Sequence, residues 1–397
     1  MDQTETSKDG TESNKNTKPD DDGSAKRPPV RIAVIGAGII GPRHAQSVQA
    51  NPSAELVGFV DLDPHAKDVA ESMGTNYYDS LVTLLEKDKP DAAIICTPSN
   101  THVSIAKTLL SAKVHVLVEK PIATDIPSGL SLLRLHASLG PDGAHMLVGH
   151  HRRFNPYVWR AKEIVDSGAL GNIVAVNGLW AAFKPGSYFD DPTEWRRQKE
   201  RGGGVVLTNL IHEVDLMQYL LGPITRVYAE QATPQRDDPE HTAEEGGAIT
   251  LRFKSGAVGT FLISDTTPSP FNFESGTGEN PLIPHSGQDF CRIFGKDATL
   301  SLPDMQVWSY YGQRQKDWAH SLTVSKLEVM KMKPFDFQVQ HLVDVVRGET
   351  EPLINGVEAL RALLVCDAIL KSMQTGAPVE IERIEGMIDS GMPTSKL

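Results

Sequence analysis

The stretch that most constrains this chain is Arg31-Ile-Ala-Val-Ile-Gly-Ala-Gly-Ile-Ile-Gly41. A short β-branched run ends in glycines at positions 36, 38 and 41, and a helical pattern follows. This is the strand, tight turn and helix start that a dinucleotide fingerprint requires. Gly36 permits the turn, Gly38 lets the backbone approach a pyrophosphate, and Gly41 allows close packing of helix on strand. Free N–H groups at the helix start, with Ile39 and Ile40 beside them, then face the phosphates. A second strand, Glu55-Leu-Val-Gly-Phe-Val-Asp61, ends in an acid 20 residues after Gly41. A carboxylate at that distance accepts hydrogen bonds from ribose hydroxyls. Asp61 and Asp63 repel a 2′-phosphate and Leu62 offers no cation, so NAD is expected in preference to NADP.

From Val30 to Arg153 strands and helices alternate. Helices are expected over roughly 42–50, 64–73 and 125–139, with another after Asn100. Strands are expected over Asp91–Pro98, ending in a polar loop, and over His115–Pro121, at 145–149, and more weakly at 76–78. Such alternation builds a doubly wound parallel sheet whose ligands sit beyond the carboxyl ends of the strands. Asp61, Thr97, Pro98, Glu119, Lys120 and Arg152 all fall at that edge.

After Arg153 the pattern changes. A helix over 156–167 leads to a strand over 173–180, then to a polar loop with Trp195 and Arg196. Gly202-Gly-Gly204 opens a helix that ends near Leu221. Strand-like runs at 225–232, 246–253, 257–264, 289–295, 298–302 and 305–310 predict a large, mostly antiparallel open sheet. The segment 264–287, rich in Pro, Ser and Gly, reads as a long loop, and 356–373 as an amphipathic helix. The expected organisation is a disordered tail over 1–28, a dinucleotide-binding domain over 29–153, a substrate-binding and oligomerisation α/β domain over 154–385, and a tail over 386–397. Helix 356–374 is expected to pack back toward the first domain.

Composition narrows the partners. The chain has 397 residues and a formal net charge of -12, which disfavours nucleic acid or an anionic membrane as a partner. No apolar run reaches the roughly 18 residues a membrane span needs, and the N-terminus lacks the apolar core of a secretory signal. The three cysteines at 96, 291 and 366 are widely spaced. They suggest neither a disulfide framework nor a metal site, and they fit a reducing, cytoplasmic location.

The chain resembles the Gfo/Idh/MocA oxidoreductases, which include glucose–fructose oxidoreductase and inositol dehydrogenases. The likeness spans roughly 30–382. It rests on Gly36-Ala-Gly-Ile-Ile-Gly41, Cys96-Thr-Pro-Ser-Asn-Thr-His102, Glu119-Lys-Pro121, and Gly202-Gly-Gly204 followed by His212-Glu-Val-Asp215. The resemblance implies hydride exchange between a nicotinamide cofactor and a hydroxyl carbon of a sugar, cyclitol or related polyol. It also implies a homodimer or homotetramer built through the second sheet. Cofactor contacts are implied at Gly36, Gly38, Ile39, Ile40, Gly41, Asp61, Thr97, Pro98, Asn100, His102, Glu119 and Lys120.

Lys120, at a strand end, suits a cationic stabiliser of a developing oxyanion, and His212 suits proton exchange near neutral pH. Thr208 and Asn209 share roughly the helix face of His212. Arg152, Trp195, Arg196, Thr208 and Asn209, with Lys120 and His212, are the candidate substrate contacts. Many family members carry an aspartate four residues before this histidine. Here Thr208 stands in its place and supplies no negative charge. Asp215 is expected to be a structural acid. The alternative function is a non-catalytic dinucleotide-binding regulator, like the transcriptional repressors that share this fold.

Overall fold

The computed structural model describes residues 27–330, 332–382 and 384–389. Most of the expected tails, residues 1–26 and 390–397, lie outside them.

The first domain runs β1 (Val30–Ile35), α1 (Gly41–Ala50), β2 (Ala54–Val60), α2 (Ala66–Ser72), β3 (Asn76–Tyr78), α3 (Leu81–Lys87), β4 (Ala92–Ile95), α4 (Ser99–Ser111), β5 (His115–Val118), α5 (Ile126–Ser138) and β6 (Met146–Val148). The six strands are parallel in the order β3-β2-β1-β4-β5-β6. The order reverses between β1 and β4, so the Gly36 turn and the Thr97-Pro98 loop flank the crevice at that switch point. Both faces of the sheet are covered, which is why Ile32, Val34, Ala93 and Ile94 are all fully buried. Helix α3 goes beyond the expectation from sequence. It is short, and only Leu84 on it is buried.

The second domain runs α6 (Pro156–Asp166), β7 (Ile173–Ala181), a π-helical turn (Val206–Leu210), α7 (Ile211–Leu221), β8 (Ile224–Gln231), β9 (Gly246–Phe253), β10 (Val258–Ser264), α8 (Phe273–Thr277), β11 (Cys291–Gly295), β12 (Ala298–Leu302), β13 (Gln306–Ser309) and β14 (Thr323–Lys326). Then come α9 (Pro334–Val346), α10 (Gly356–Thr375), β15 (Val379–Glu380) and α11 (Ile384–Asp389). The nine-stranded sheet has the order β14-β13-β12-β11-β7-β10-β9-β8-β15. All its pairs are antiparallel except β7 with β10. That parallel pair is possible because α7 and two strands intervene, giving the long connection a parallel neighbour needs.

Strands β14 and β15 and helices α8 and α9 were not among the expected elements. The segment holding α8 was expected to be an irregular loop; Asn272 instead caps one short helix there, accepting from the Ser275 N–H. Helix α9 returns to the first domain, packing on α1 and the turn at His151–Phe154. Its Val339, Leu342, Val343 and Val345 join the same core as Val30, Ile32 and Val34. Helix α10 begins with a capping box, Asn355 with Glu358, and ends at Gly376 in the left-handed conformation. It packs against α5 and β6 of the first domain as well as α7 and β8 of the second. Together α9 and α10 fasten the two sheets into one frame around the crevice.

Candidate active site and cofactor cradle

Gly36 sits at φ 101°, and a Cβ there would lie 2.8 Å from the Cys96 carbonyl carbon and oxygen. A side chain would therefore be both strained and obstructed. At Gly38 an added Cβ would meet nothing within 4 Å, so open space lies in front of the turn. Helix α1 starts with Ile40 as an N-cap that makes no side-chain hydrogen bond, which leaves its first-turn N–H groups available to an anion. Ile39 is 75% exposed beside them. Asp61 closes the cradle: its Oδ2 accepts the Ala37 N–H at 2.7 Å and its Oδ1 accepts the Asp63 N–H at 3.0 Å. These residues fit a dinucleotide, with an open approach at the glycine turn and an acid at the second strand end.

Across the crevice, the Thr101 hydroxyl donates to Thr97 Oγ1 at 2.7 Å, and Pro98 and Asn100 lie exposed at the start of α4. His102 was expected either on the nicotinamide side or in a structural role. It is buried, with Nδ1 2.8 Å from Pro121 O and Nε2 2.8 Å from Thr97 O. Its ring therefore ties the β4 loop to the β5 loop, and burial lowers its pKa.

Glu119, Lys120 and Pro121 follow β5, and the Lys120–Pro121 peptide is cis. Glu119 Oε1 is 2.7 Å from His44 Nε2, and its Oε2 accepts the Lys120 N–H at 3.1 Å. Burial pushes the Glu119 carboxyl upward, but the His44 hydrogen bond and the charges of His44, His151 and Lys120 bring it to about 2. Lys120 Nζ donates to Thr208 O at 3.1 Å. Burial pulls its pKa down to about 8; Glu119 opposes this, while Arg152, Arg196 and Lys184 add to it.

Thr208 and Asn209 lie in the π-helical turn, a wider coil often found at functional sites. Glu244 Oε1 accepts the Val206 N–H at 2.9 Å and anchors the start of that turn. The Thr208 hydroxyl donates to Gly204 O at 2.7 Å. Asn209 Oδ1 accepts from Lys184 Nζ at 2.7 Å. One turn on, His212 is buried, and its Nδ1 has no hydrogen-bond partner among the described residues. The rings of His151 and His150 stand 5.3 and 6.1 Å away. Burial, then Lys120, Arg152, His151 and His150, hold the His212 pKa well below its ordinary value. That shift favours the neutral imidazole.

One candidate contact is already engaged within the protein. Arg152, a candidate substrate contact, is 2% exposed. Its guanidinium bonds Glu213 and also Glu274 (2.6 Å), with Glu279 3.4 Å away, and it stacks on Phe273 at 4.3 Å. Burial lowers its pKa, but the charges of Glu274, Glu213 and Glu279 more than reverse that. Arg152 is thus committed to internal carboxylates. Arg196, by contrast, has no acid partner among the described residues and lies 4.3 Å over the Tyr188 ring, with Trp195 adjacent at 5.8 Å. Asp215 is structural, chelating Arg153 through bonds of 2.9 and 2.7 Å.

Sequence reasoning missed Lys184, His44 and Glu244. Lys184 follows the end of β7 in a Phe-Lys-Pro-Gly turn, a strand-end lysine like Lys120, and that position was its only signal. His44 and Glu244 gave none, because their partners are far away in sequence.

Comparison with known proteins agrees with this architecture. Residues 30–141 match a family model described as "Oxidoreductase family, NAD-binding Rossmann fold", and residues 162–381 match "Oxidoreductase family, C-terminal alpha/beta domain". The chain is 27% identical to an inositol 2-dehydrogenase of Mycolicibacterium gilvum, over 89% of this chain and 93% of that one. It is 24% identical to a myo-inositol 2-dehydrogenase of Thermotoga maritima, over 90% and 100%. The crystal structure of the WlbA dehydrogenase from Bordetella pertussis, in complex with NADH and UDP-GlcNAcA, is similar in fold, with a TM-score of 0.71 at 24% identity, over 89% of this chain and 99% of that one. With the C-terminal model alone spanning more than half of the sequence, the chain belongs to the Gfo/Idh/MocA oxidoreductase family, and its N-terminal domain is that family's NAD-binding Rossmann domain.

Proposed function

We propose that the protein is an NAD-dependent dehydrogenase acting on a CH–OH group of a sugar, cyclitol or related small polyol, with Lys120 and His212 assisting proton transfer. The observation that carries this reading is the placement of Lys120 Nζ on Thr208 O at 3.1 Å, one helical turn before His212. That bond brings the Lys120 side chain to the turn that precedes His212 in the second domain. The inositol dehydrogenase names of the Mycolicibacterium and Thermotoga relatives support the substrate class.

Gly36, Gly38, Gly41 and the α1 N-terminus would hold the NAD pyrophosphate, and Asp61 the adenosine ribose. The chemistry NAD supplies there is hydride acceptance on oxidation and hydride donation on reduction. The Lys120 ammonium would orient the reacting hydroxyl and hold the negative charge that grows on its oxygen. Neutral His212 would take the hydroxyl proton as the carbonyl forms and return it in the reverse direction. Glu119, itself held by His44, keeps a negative charge behind Lys120.

One observation favours the regulator reading. The Thr208 hydroxyl is committed to Gly204 O, so no acid of that turn raises the basicity of His212. A cofactor-reduction screen against cyclitols and sugars, with Lys120→Ala and His212→Ala beside the wild type, separates the two. Turnover that falls about 100-fold or more in each variant supports the dehydrogenase. Tight NAD binding without turnover of any substrate supports the regulator.

A homodimer or homotetramer through the nine-stranded sheet is part of the same proposal. One sheet face leaves Val258 47%, Leu262 51%, Phe294 37%, Trp308 39% and Val324 44% exposed, and the strand register places them on the same side. Light scattering of the purified protein tests it; a monomer at all concentrations would remove it. All three cysteines are free thiols, which supports a reducing, cytoplasmic location.

A further inference from the structure

Beside Lys120 and His212 lie two further basic side chains that proton transfer does not use. Lys184, at the end of β7, is 9% exposed. Its Nζ donates to Asn209 Oδ1 at 2.7 Å and stands 4.6 Å from the centre of the Tyr188 ring. The Arg196 guanidinium lies 4.3 Å from the same ring. Tyr188 therefore gathers a lysine and an arginine onto one wall. That wall reaches Lys120 through two adjacent residues, since Lys120 Nζ bonds Thr208 O and Lys184 Nζ bonds Asn209 Oδ1.

The acids near this wall are largely engaged. Asp265 is 3.4 Å from Lys184 but is shared with Arg236 at 2.7 Å. Glu119 is held by His44, and Glu274 by Arg152 and the Trp180 indole N–H. Arg196 has no acid among the described residues. Cations that the surrounding acids match only in part, as Lys184 and Arg196 are here, are stabilised by a ligand that brings the missing charge. The cradle for the dinucleotide phosphates is elsewhere, at the Gly36 turn, whereas Lys184 and Arg196 belong to the second domain.

We propose that Lys184 and Arg196 form a carboxylate pocket, so that the substrate is a hydroxy acid of the sugar or cyclitol class. Its acid group would lie against these two cations and its reacting hydroxyl carbon at Lys120 and His212. This rests on the dehydrogenase reading for the reacting carbon, not for the pocket. It explains how the site works without an aspartate at position 208: the substrate's own carboxylate brings the negative charge that balances protonated His212. The depressed pKa values of Lys120 and Lys184, both about 8 and both lowered first by burial, fit a site completed by an anion. One carboxylate, rather than a doubly charged phosphate, matches a lysine and an arginine whose charge Asp265 already offsets in part.

The test titrates the NADH-saturated protein, by calorimetry and at fixed ionic strength, with matched pairs: glucuronate and glucose, galacturonate and galactose, gluconate and glucitol, quinate and myo-inositol, with glucose 6-phosphate added. Oxidation of each by NAD is followed alongside. At least one acid is expected to bind about tenfold or more tighter than its neutral partner. Arg196→Gln and Lys184→Gln are expected to bring that ratio toward one, while the NADH dissociation constant stays within about twofold. The proposal is overturned if no acid binds better than its neutral partner, if the phosphate is preferred, or if both variants weaken acid and neutral ligands alike. Acid binding that depends on Arg196 without turnover keeps the pocket and removes the dehydrogenase. Turnover of neutral polyols with no acid preference does the reverse.

Discussion

Lys120 Nζ and the Thr208 carbonyl oxygen are 3.1 Å apart, joining the last working loop of the Rossmann sheet to the π-helical turn of the second domain. The bond uses the backbone of residue 208, not its side chain. The contact therefore survives the presence of threonine where the family resemblance implies an acid. What is lost is charge, and His212 is left among cations and other imidazoles.

Restoring that acid is the direct test of its electrostatic role. Thr208→Asp places a carboxylate one helical turn before His212, and an adjacent opposite charge is expected to raise the imidazole pKa by about one to three pH units. A base must be neutral to accept a proton, so the acid limb of kcat/KM against pH should move to higher pH. Titration of His212 followed by NMR should move with it. An unmoved imidazole resonance would show that position 208 does not face the ring.

The glycine turn offers a contrast between binding and folding. An added Cβ at Gly38 meets nothing, whereas at Gly41 it would lie 2.1 Å from Gly36 O. Gly38→Ala should leave the melting temperature of the NAD-free protein nearly unchanged and weaken NAD binding by about tenfold or more. Gly41→Ala should destabilise the protein itself, by about 1–3 kcal/mol. Equal effects of the two variants on thermal unfolding would contradict this division.

Arg153 and Asp215 form a bidentate pair with side chains 3% and 2% exposed. Asp215→Asn removes the charge and leaves a buried guanidinium partly uncompensated, since Glu358 lies 3.3 Å away but at the surface. The expected loss is about 3–5 kcal/mol, read from urea unfolding. Loss of activity without loss of stability would instead place Asp215 in the chemistry.

Glu244 gives a pH-dependent prediction. Burial raises its pKa to about 7 from an ordinary value of 4.5, opposed by the Val206 N–H. A carboxyl raised in the folded state favours folding while protonated, and that contribution disappears as pH rises from about 4.5 through 7. Glu244→Gln keeps an acceptor for Val206 and cannot ionise. It should therefore gain on the wild type between pH 5 and pH 8, by up to about 3 kcal/mol at the upper end. A stability difference that does not vary with pH would remove Glu244 as the titrating group.

Much of the architecture was written locally. The β-branched run before Gly36, the acid at position 61 and the Glu119-Lys-Pro121 turn each declare themselves within a few residues. Together they placed a dinucleotide at one sheet edge. Helix α9 was overlooked although its apolar positions at 335, 339, 342, 343 and 345 repeat at helical spacing. No local signal, though, showed that its apolar face covers the first domain rather than the second. The partners of Arg152 were illegible for a related reason. Glu213, Glu274 and Glu279 lie 61 or more residues away, and an arginine at a strand end looks the same whether it faces a ligand or three internal carboxylates.

The sequence by itself determined the parallel sheet, the NAD cradle and the positions of Lys120 and His212, because strand period, turn chemistry and motif spacing are properties of neighbouring residues. The tertiary structure decided which charges are spent inside the protein and which remain available. It committed Arg152 to internal acids, left Arg196 without one among the described residues, and brought Lys184 beside Asn209. The physical reason is that charge balance in a buried site is summed over everything within a few ångströms. That sum depends on how α9, α10 and the two sheets close around the crevice.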